Sequence, residues 1–218
     1  MRLIYKEAVD ICKSAGVDSH AAGLTDSTLR LEQQLTATKS QYTFAVLTNN
    51  NGPSNTLFNT EIRLNQQDSF IAYALNFYLG EPSSATDTTY IDYTYPSPSV
   101  FVTGTEAVQL ETIYKSQIKV TINNVVKIPT LHMGRFYFVP QSQKVAAAAN
   151  QNGIAADQRD GSTDGAMLLT GLLTFIGSKN NLIEMFLPAS ITAGNIGAFT
   201  RSIMEWRGLL AQNSTIIT

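Results

Sequence analysis

The chain has 218 residues, a formal net charge of -2 and a single cysteine. That length suits one domain with a sizeable core, the charge excludes a global pull toward nucleic acid or anionic membrane, and the lone Cys12 excludes an intrachain disulfide. Charged residues make up only 15%, against ~25% in typical soluble domains, a poverty that fits a surface covered by neighbouring subunits, where hydroxyls and amides are tolerated better than unpaired charge.

Residues 1–40 read as a helical N-terminal arm. Leu3, Ile4, Glu7, Ala8 and Ile11 recur at helical spacing up to Gly16, and Asp26-Ser27-Thr28 predicts the cap of a second short helix through Leu29, Glu32 and Leu35. Lys6, Glu7 and Asp10 interrupt any signal-peptide core, and no apolar run approaches the ~18 residues of a membrane span, so neither classical export nor a membrane span is expected. Asn213-Ser214-Thr215, which has the form of a glycosylation site, then reads as coincidence. Five bases (Arg2, Lys6, Lys13, Arg30, Lys39) offset five acids (Glu7, Asp10, Asp18, Asp26, Glu32), so the arm is not a basic nucleic-acid-binding tail.

Residues 41–218 read as a single β-sandwich domain. Tyr42 to Leu47 is an apolar run ended by the turn cluster Asn49-Asn50-Asn51-Gly52-Pro53. Thr60 to Asn65 alternates, and Ser69 to Leu79 follows as the central strand, with Ile71, Tyr73, Leu75, Phe77 and Leu79 on one face and Phe70, Ala72, Ala74, Asn76 and Tyr78 on the other. Thr88 to Tyr95, Val100 to Thr103, Val108 to Tyr114, Gln117 to Ile122, Val125 to Ile128 and Arg135 to Val139 are further candidates. Residues 140–165 break the rhythm as a long surface loop. Met167 to Ile176, Leu182 to Leu187, Phe199 to Trp206 and Ser214 to Ile217 complete about a dozen strands, with turns every ~8–12 residues as in a sandwich or barrel.

Catalytic signals are weak. His20 and His132 stand alone, and no zinc-hydrolase, serine-hydrolase or phosphate-loop motif occurs, so the chain is not expected to be an enzyme or to hold a cofactor. Cys12 with a histidine would be a nucleophile–base pair, but Cys12 lies in the arm. Asp157, Asp160 and Asp164 are candidate ligands for a hard cation, although a solvated turn explains them as well and their spacing is not that of an EF-hand. Glu184, inside an apolar run, is a candidate acid, or else a residue at a strand edge or paired with an arginine. Tyr90, Tyr93 and Tyr95 with Asp92 suggest either a sugar-stacking platform or a half-buried edge.

The clearest pattern is charge segregation. Glu81 to Tyr114 holds five acids and no base, and Lys115 to Lys144 holds five bases and no acid. Asp87 and Asp92 facing Lys119 and Lys127 of another copy would give a head-to-tail subunit interface, unless the two segments neutralise each other within one chain. In general character the chain is similar to bacteriophage virion proteins. That resemblance implies a mainly β capsid subunit, an antiparallel β-sandwich of jelly-roll type whose short helical arm reaches over a neighbour. Its expected partners are copies of itself and other virion proteins, and its expected location is the virion, assembled in the host cytoplasm. A tail-tube or other virion component, a carbohydrate-binding β-sandwich and a glycosidase are the alternatives.

Overall fold

The computed structural model describes residues 6, 9–10, 12–13, 23–48, 60–96, 100–101, 104–138, 166–192 and 194–214. Nine strands occur among them: β1 (Leu24–Gln34), β2 (Gln41–Ala45), β3 (Ser69–Gly80), β4 (Asp92–Tyr93), β5 (Gln117–Ile122), β6 (Val125–His132), β7 (Met167–Ile176), β8 (Asn181–Phe186) and β9 (Arg201–Ala211). A helix, α1 (Gly104–Glu111), runs into a 3-10 turn at Thr112–Lys115, and a second 3-10 turn spans Met133–Phe136. The chain is mainly β, and every strand pair is antiparallel.

The strands form two sheets. The first runs β1-β9-β3, with β7 and the short β4 end to end along the far edge of β3, and the second runs β2-β8-β5-β6. The pairings are nested: β1 with β9, β2 with β8, β3 with β7 and β5 with β6, each pair inside the last along the chain. The innermost pair closes through Asn123-Asn124, both at positive φ, the conformation that a two-residue hairpin turn needs and that asparagine tolerates. The inward faces share one core, in which Leu31, Phe70, Leu75, Phe77, Phe175 and Trp206 of the first sheet meet Phe44, Ile118, Val120, Ile183 and Met185 of the second. Phe175 packs edge-on against Trp206 at 5.4 Å. None of the described helices is long and apolar enough to cross a membrane.

The expected central strand is β3, but its two faces are not those that simple alternation assigns. Phe70 and Ala72 share the core with Leu75, Phe77 and Leu79, while Ile71 lies on the other side with Cys12 and Leu209. The register against β9 slips between Ala72 and Ala74, so Tyr73 is an extra residue that reverses the parity of everything after it.

Other expectations also change. The second arm helix over Asp26 to Leu35 is instead β1, paired with β9 over its whole length, because Leu29 and Leu31 point into the core while Arg30 and Glu32 point out. The cap signal is local, and an eleven-residue ladder outweighs it. The arm's helix survives as Lys6, Val9, Asp10, Cys12 and Lys13. Val108 to Tyr114 is helical rather than extended, and Arg135 lies in a 3-10 turn. Thr60 to Asn65 makes only two isolated bridges, at Ile62 and Leu64, and nine strands stand among the described residues where about a dozen were expected. The long loop at 140–165 lies outside the described residues.

Leu75 is completely buried at the centre of β3. Leu75→Ala should therefore destabilise the fold by about 2–5 kcal/mol. Urea denaturation checks this, and an unchanged midpoint would contradict the placement of β3.

Candidate functional site

The outer face of the first sheet carries a buried cluster of charge. Alternation along β1 turns Arg30 and Glu32 outward, and β9 begins beside them with Arg201. The side chain of Glu32 is fully buried, so its charge has to be met by nearby donors. Its Oε1 accepts from Arg30 Nε at 2.8 Å, from the Tyr90 hydroxyl at 2.8 Å and from Thr60 Oγ1, and its Oε2 accepts from Arg201 Nη1 at 2.8 Å. Burial alone would raise the Glu32 carboxyl, but the bonds from Thr60, Arg30, Tyr90 and Arg201 outweigh it and hold the group below the usual glutamate value. Asp92 clamps Arg30 through two parallel bonds, Nη1 to Oδ2 at 2.6 Å and Nη2 to Oδ1 at 2.9 Å. The Tyr90 ring lies 5.5 Å from the Arg201 guanidinium and sits directly on Gly80, where a Cβ would come within 2.6 Å of the ring. The cluster is a lock that holds segments 60–64 and 90–92 on the sheet. With the Glu32 oxygens filled by donors from its own chain, it is not arranged to bind a substrate.

The charge-patterned residues are thereby divided. Asp92 is committed to Arg30, and Lys119 lies 3.6 Å from Glu184 on the outer face of the other sheet. Glu184 also accepts from Gln41 Nε2 at 3.0 Å, so it is paired with polar neighbours from both flanking strands, and β8 lies inside its sheet rather than at an edge. Asp87 is partly exposed in the loop after β3, held below the usual carboxylate range by the Ser83 and Thr89 amides and hydroxyls. Lys127 is exposed on β6. The structure does not bring the two acids to the two lysines, and only Asp87 and Lys127 stand clear of these intrachain ion pairs.

The tyrosines do not form a platform. Tyr90 belongs to the lock, Tyr93 packs edge-on against Phe101 at 5.9 Å, and Tyr95 is half-buried. Cys12 is buried against Ile71 and Leu209, which pushes its thiol up and away from nucleophilic use. His132 contacts Gln117 at 3.3 Å, while His20, Asp157, Asp160 and Asp164 lie outside the described residues. Among the described residues no three His, Cys, Asp or Glu side chains are grouped to hold a metal.

The surface that sequence reasoning missed is the side where β6 and β7 end the two sheets. Lys127, Ile128, Leu131 and Arg135 face Met167 to Leu173 across a groove of about 450 Å³. Leu168 is 57% exposed, and Val125 and Val126 are exposed as well. Proteins usually defend sheet edges with charge, proline or shortness. Here β1 carries Asp26, Arg30 and Glu32, β2 is only five residues long, and β6 carries Lys127 and Pro129. By contrast β7, MLLTGLLTFI, has neither charge nor proline, and among the described residues its outer edge pairs with no strand, its one irregularity being the break in its ladder to β3 between Leu168 and Leu173. The signal was legible as ten uncharged residues, but nothing in the sequence said that this strand would lie at an edge.

No protein-family model matches the chain, and no curated protein is significantly similar to it.

Glu32→Gln would leave two guanidiniums facing an uncharged amide. Breaking a buried ion pair in this way costs about 3–5 kcal/mol, which equilibrium denaturation at neutral pH should register. The sign of the pH effect follows from the lowered folded value: the wild-type contribution is present above about 4.5 and is lost as pH falls toward the folded value. Stability of Glu32→Gln should accordingly vary less than wild type over that acidic range.

Proposed function

We propose that the chain is a self-assembling structural subunit, a capsid protein of bacteriophage type with a jelly-roll β-sandwich that forms the virion shell in the host cytoplasm. The four nested pairs support the jelly-roll reading: with the two-residue β4 set aside, eight strands fold as one long hairpin rolled so that successive pairs fall in two sheets. Lectins and cupins share that topology, so the step to assembly rests on surface chemistry instead.

The observation that carries it is the uncharged β7 edge beside a groove lined by both apolar and basic side chains, on a chain with only 15% charged residues. A long, uncharged, exposed edge favours association, and a protein that works as a monomer gains nothing from keeping one. Lys127 and Arg135 at the groove give contacts between copies a charge-dependent register.

Negative-stain microscopy and light scattering test the reading. Purified protein should form shells, with tubes pointing to the tail-tube variant, and sulfate should favour the assembled state. Leu168→Lys should abolish particles while leaving the circular dichroism spectrum and melting temperature of the subunit unchanged, since Leu168 is exposed. A wild-type protein that stays monomeric at high concentration in sulfate would overturn the proposal.

A further inference from the structure

Three segments of the chain meet at Thr200, the residue before β9. Its hydroxyl oxygen lies 2.5 Å from Glu81 Oε2, just past the end of β3, and 3.3 Å from Glu106 Oε1, in the first turn of α1. Glu106 Oε1 also accepts the Gly197 amide at 2.6 Å. Gly197 makes room for the other carboxyl, because a Cβ there would collide with Glu81 Oε1. Glu106 and Thr200 are buried and Glu81 is half-buried.

A threonine hydroxyl has one hydrogen to donate. With both glutamates ionised, that hydrogen serves one carboxylate, and the other contact is oxygen against oxygen with no proton between them. One added proton satisfies both contacts: the Glu81 carboxyl donates to Thr200 Oγ1, and Thr200 donates to Glu106, which keeps the negative charge and the Gly197 amide. The short Glu81–Thr200 separation suits such a bond. Burial pushes the Glu81 carboxyl up and the nearby Glu106 charge adds to this, against the Thr200 hydrogen bond. Of the other charges on the surrounding elements, Arg201 on β9 is bound to Glu32 Oε2 and the Ala85 carbonyl, Asp87 is bound to Ser83 and Thr89, and Glu111 closes α1. Residues 187–200 themselves carry no charge.

We infer that Glu81, Thr200 and Glu106 form a proton-dependent clamp that fastens the uncharged loop before β9 to the end of β3 and to α1. The folded state holds this proton more tightly than the unfolded chain does. The stability the clamp contributes is therefore complete below about 4.5, the ordinary glutamate value, and is lost as pH rises through the higher folded value of Glu81. Acid closes the clamp and neutral pH loosens it. The clamp belongs to the single subunit and does not depend on the assembly reading.

Carboxyl-carbon NMR titration of glutamate-labelled subunit, with hydrogen exchange at the Gly197 amide, tests it. The Glu81 midpoint should lie above 4.5. After correction for intrinsic exchange, Gly197 protection should fall about tenfold or more as pH passes that midpoint. Glu81→Gln supplies a permanent donor to Thr200, so its Gly197 protection should stay high across the same range. Glu106→Gln removes the neighbouring charge and should lower the Glu81 midpoint. A wild-type Glu81 midpoint at or below 4.5 overturns the clamp without any variant having to fold, and so does Gly197 protection in Glu81→Gln that falls with pH as in wild type.

Discussion

One buried carboxylate, Glu32, ties together parts of the chain that are far apart in sequence. It lies on β1, takes a guanidinium from Arg201 at the start of β9, 169 residues away, and takes hydroxyls from Thr60 and Tyr90. The rest of the outer face follows from that demand. A carboxylate shielded from water must be surrounded by donors, and the donors bring with them the 60–64 crossing, the 90–92 crossing and the bidentate Arg30–Asp92 pair. The 90–92 crossing is thus held to the outer face by polar contacts, while Tyr93 and Phe101 further along join the apolar core.

The distribution of charge gains a different meaning from this. A chain already poor in charge places several of its charged side chains in internal pairs: Arg30 with Asp92, Arg201 with Glu32, Arg63 with Glu61, Lys119 with Glu184 and Arg207 with Glu205. Hydroxyls, amides and exposed apolar side chains are left to make much of the surface. The two carboxylate sites also respond to acid in opposite senses, since Glu32 is held ionised by cations while Glu81 sits beside another acid.

The strands with the longest apolar runs, β3 and β7, were legible in the sequence because burial demands apolar residues wherever the strand goes, whereas β9, broken by Arg201, Glu205 and Arg207, was read only as far as Trp206. What was not legible depended on partners. The inward and outward faces of β3 were misread because one extra residue at Tyr73 costs nothing in composition yet inverts every later side chain. The strand β1 was hidden behind a convincing cap at Asp26-Ser27-Thr28, since the ladder that overrides it belongs to β9 at the other end of the chain. Asp92 and Lys119 were recognised as members of a charge pattern, but their partners, Arg30 and Glu184, lay outside the two segments compared.

The pairing of β1 with β9, and of β3 with both β7 and β9, also governs how the chain can be made. All the long partners of β3 follow it in sequence, the last ending at Ala211. At about 5–20 residues per second of synthesis, β3 waits on the order of ten seconds with both edges bare. Its twelve residues carry no charge and no proline, so in that interval it is a sticky segment that a ribosome-associated chaperone would be expected to shield. Closure then has to join distant strands, which makes folding slow and largely post-translational. Crowding many nascent copies together would favour strand exchange between chains over closure within one.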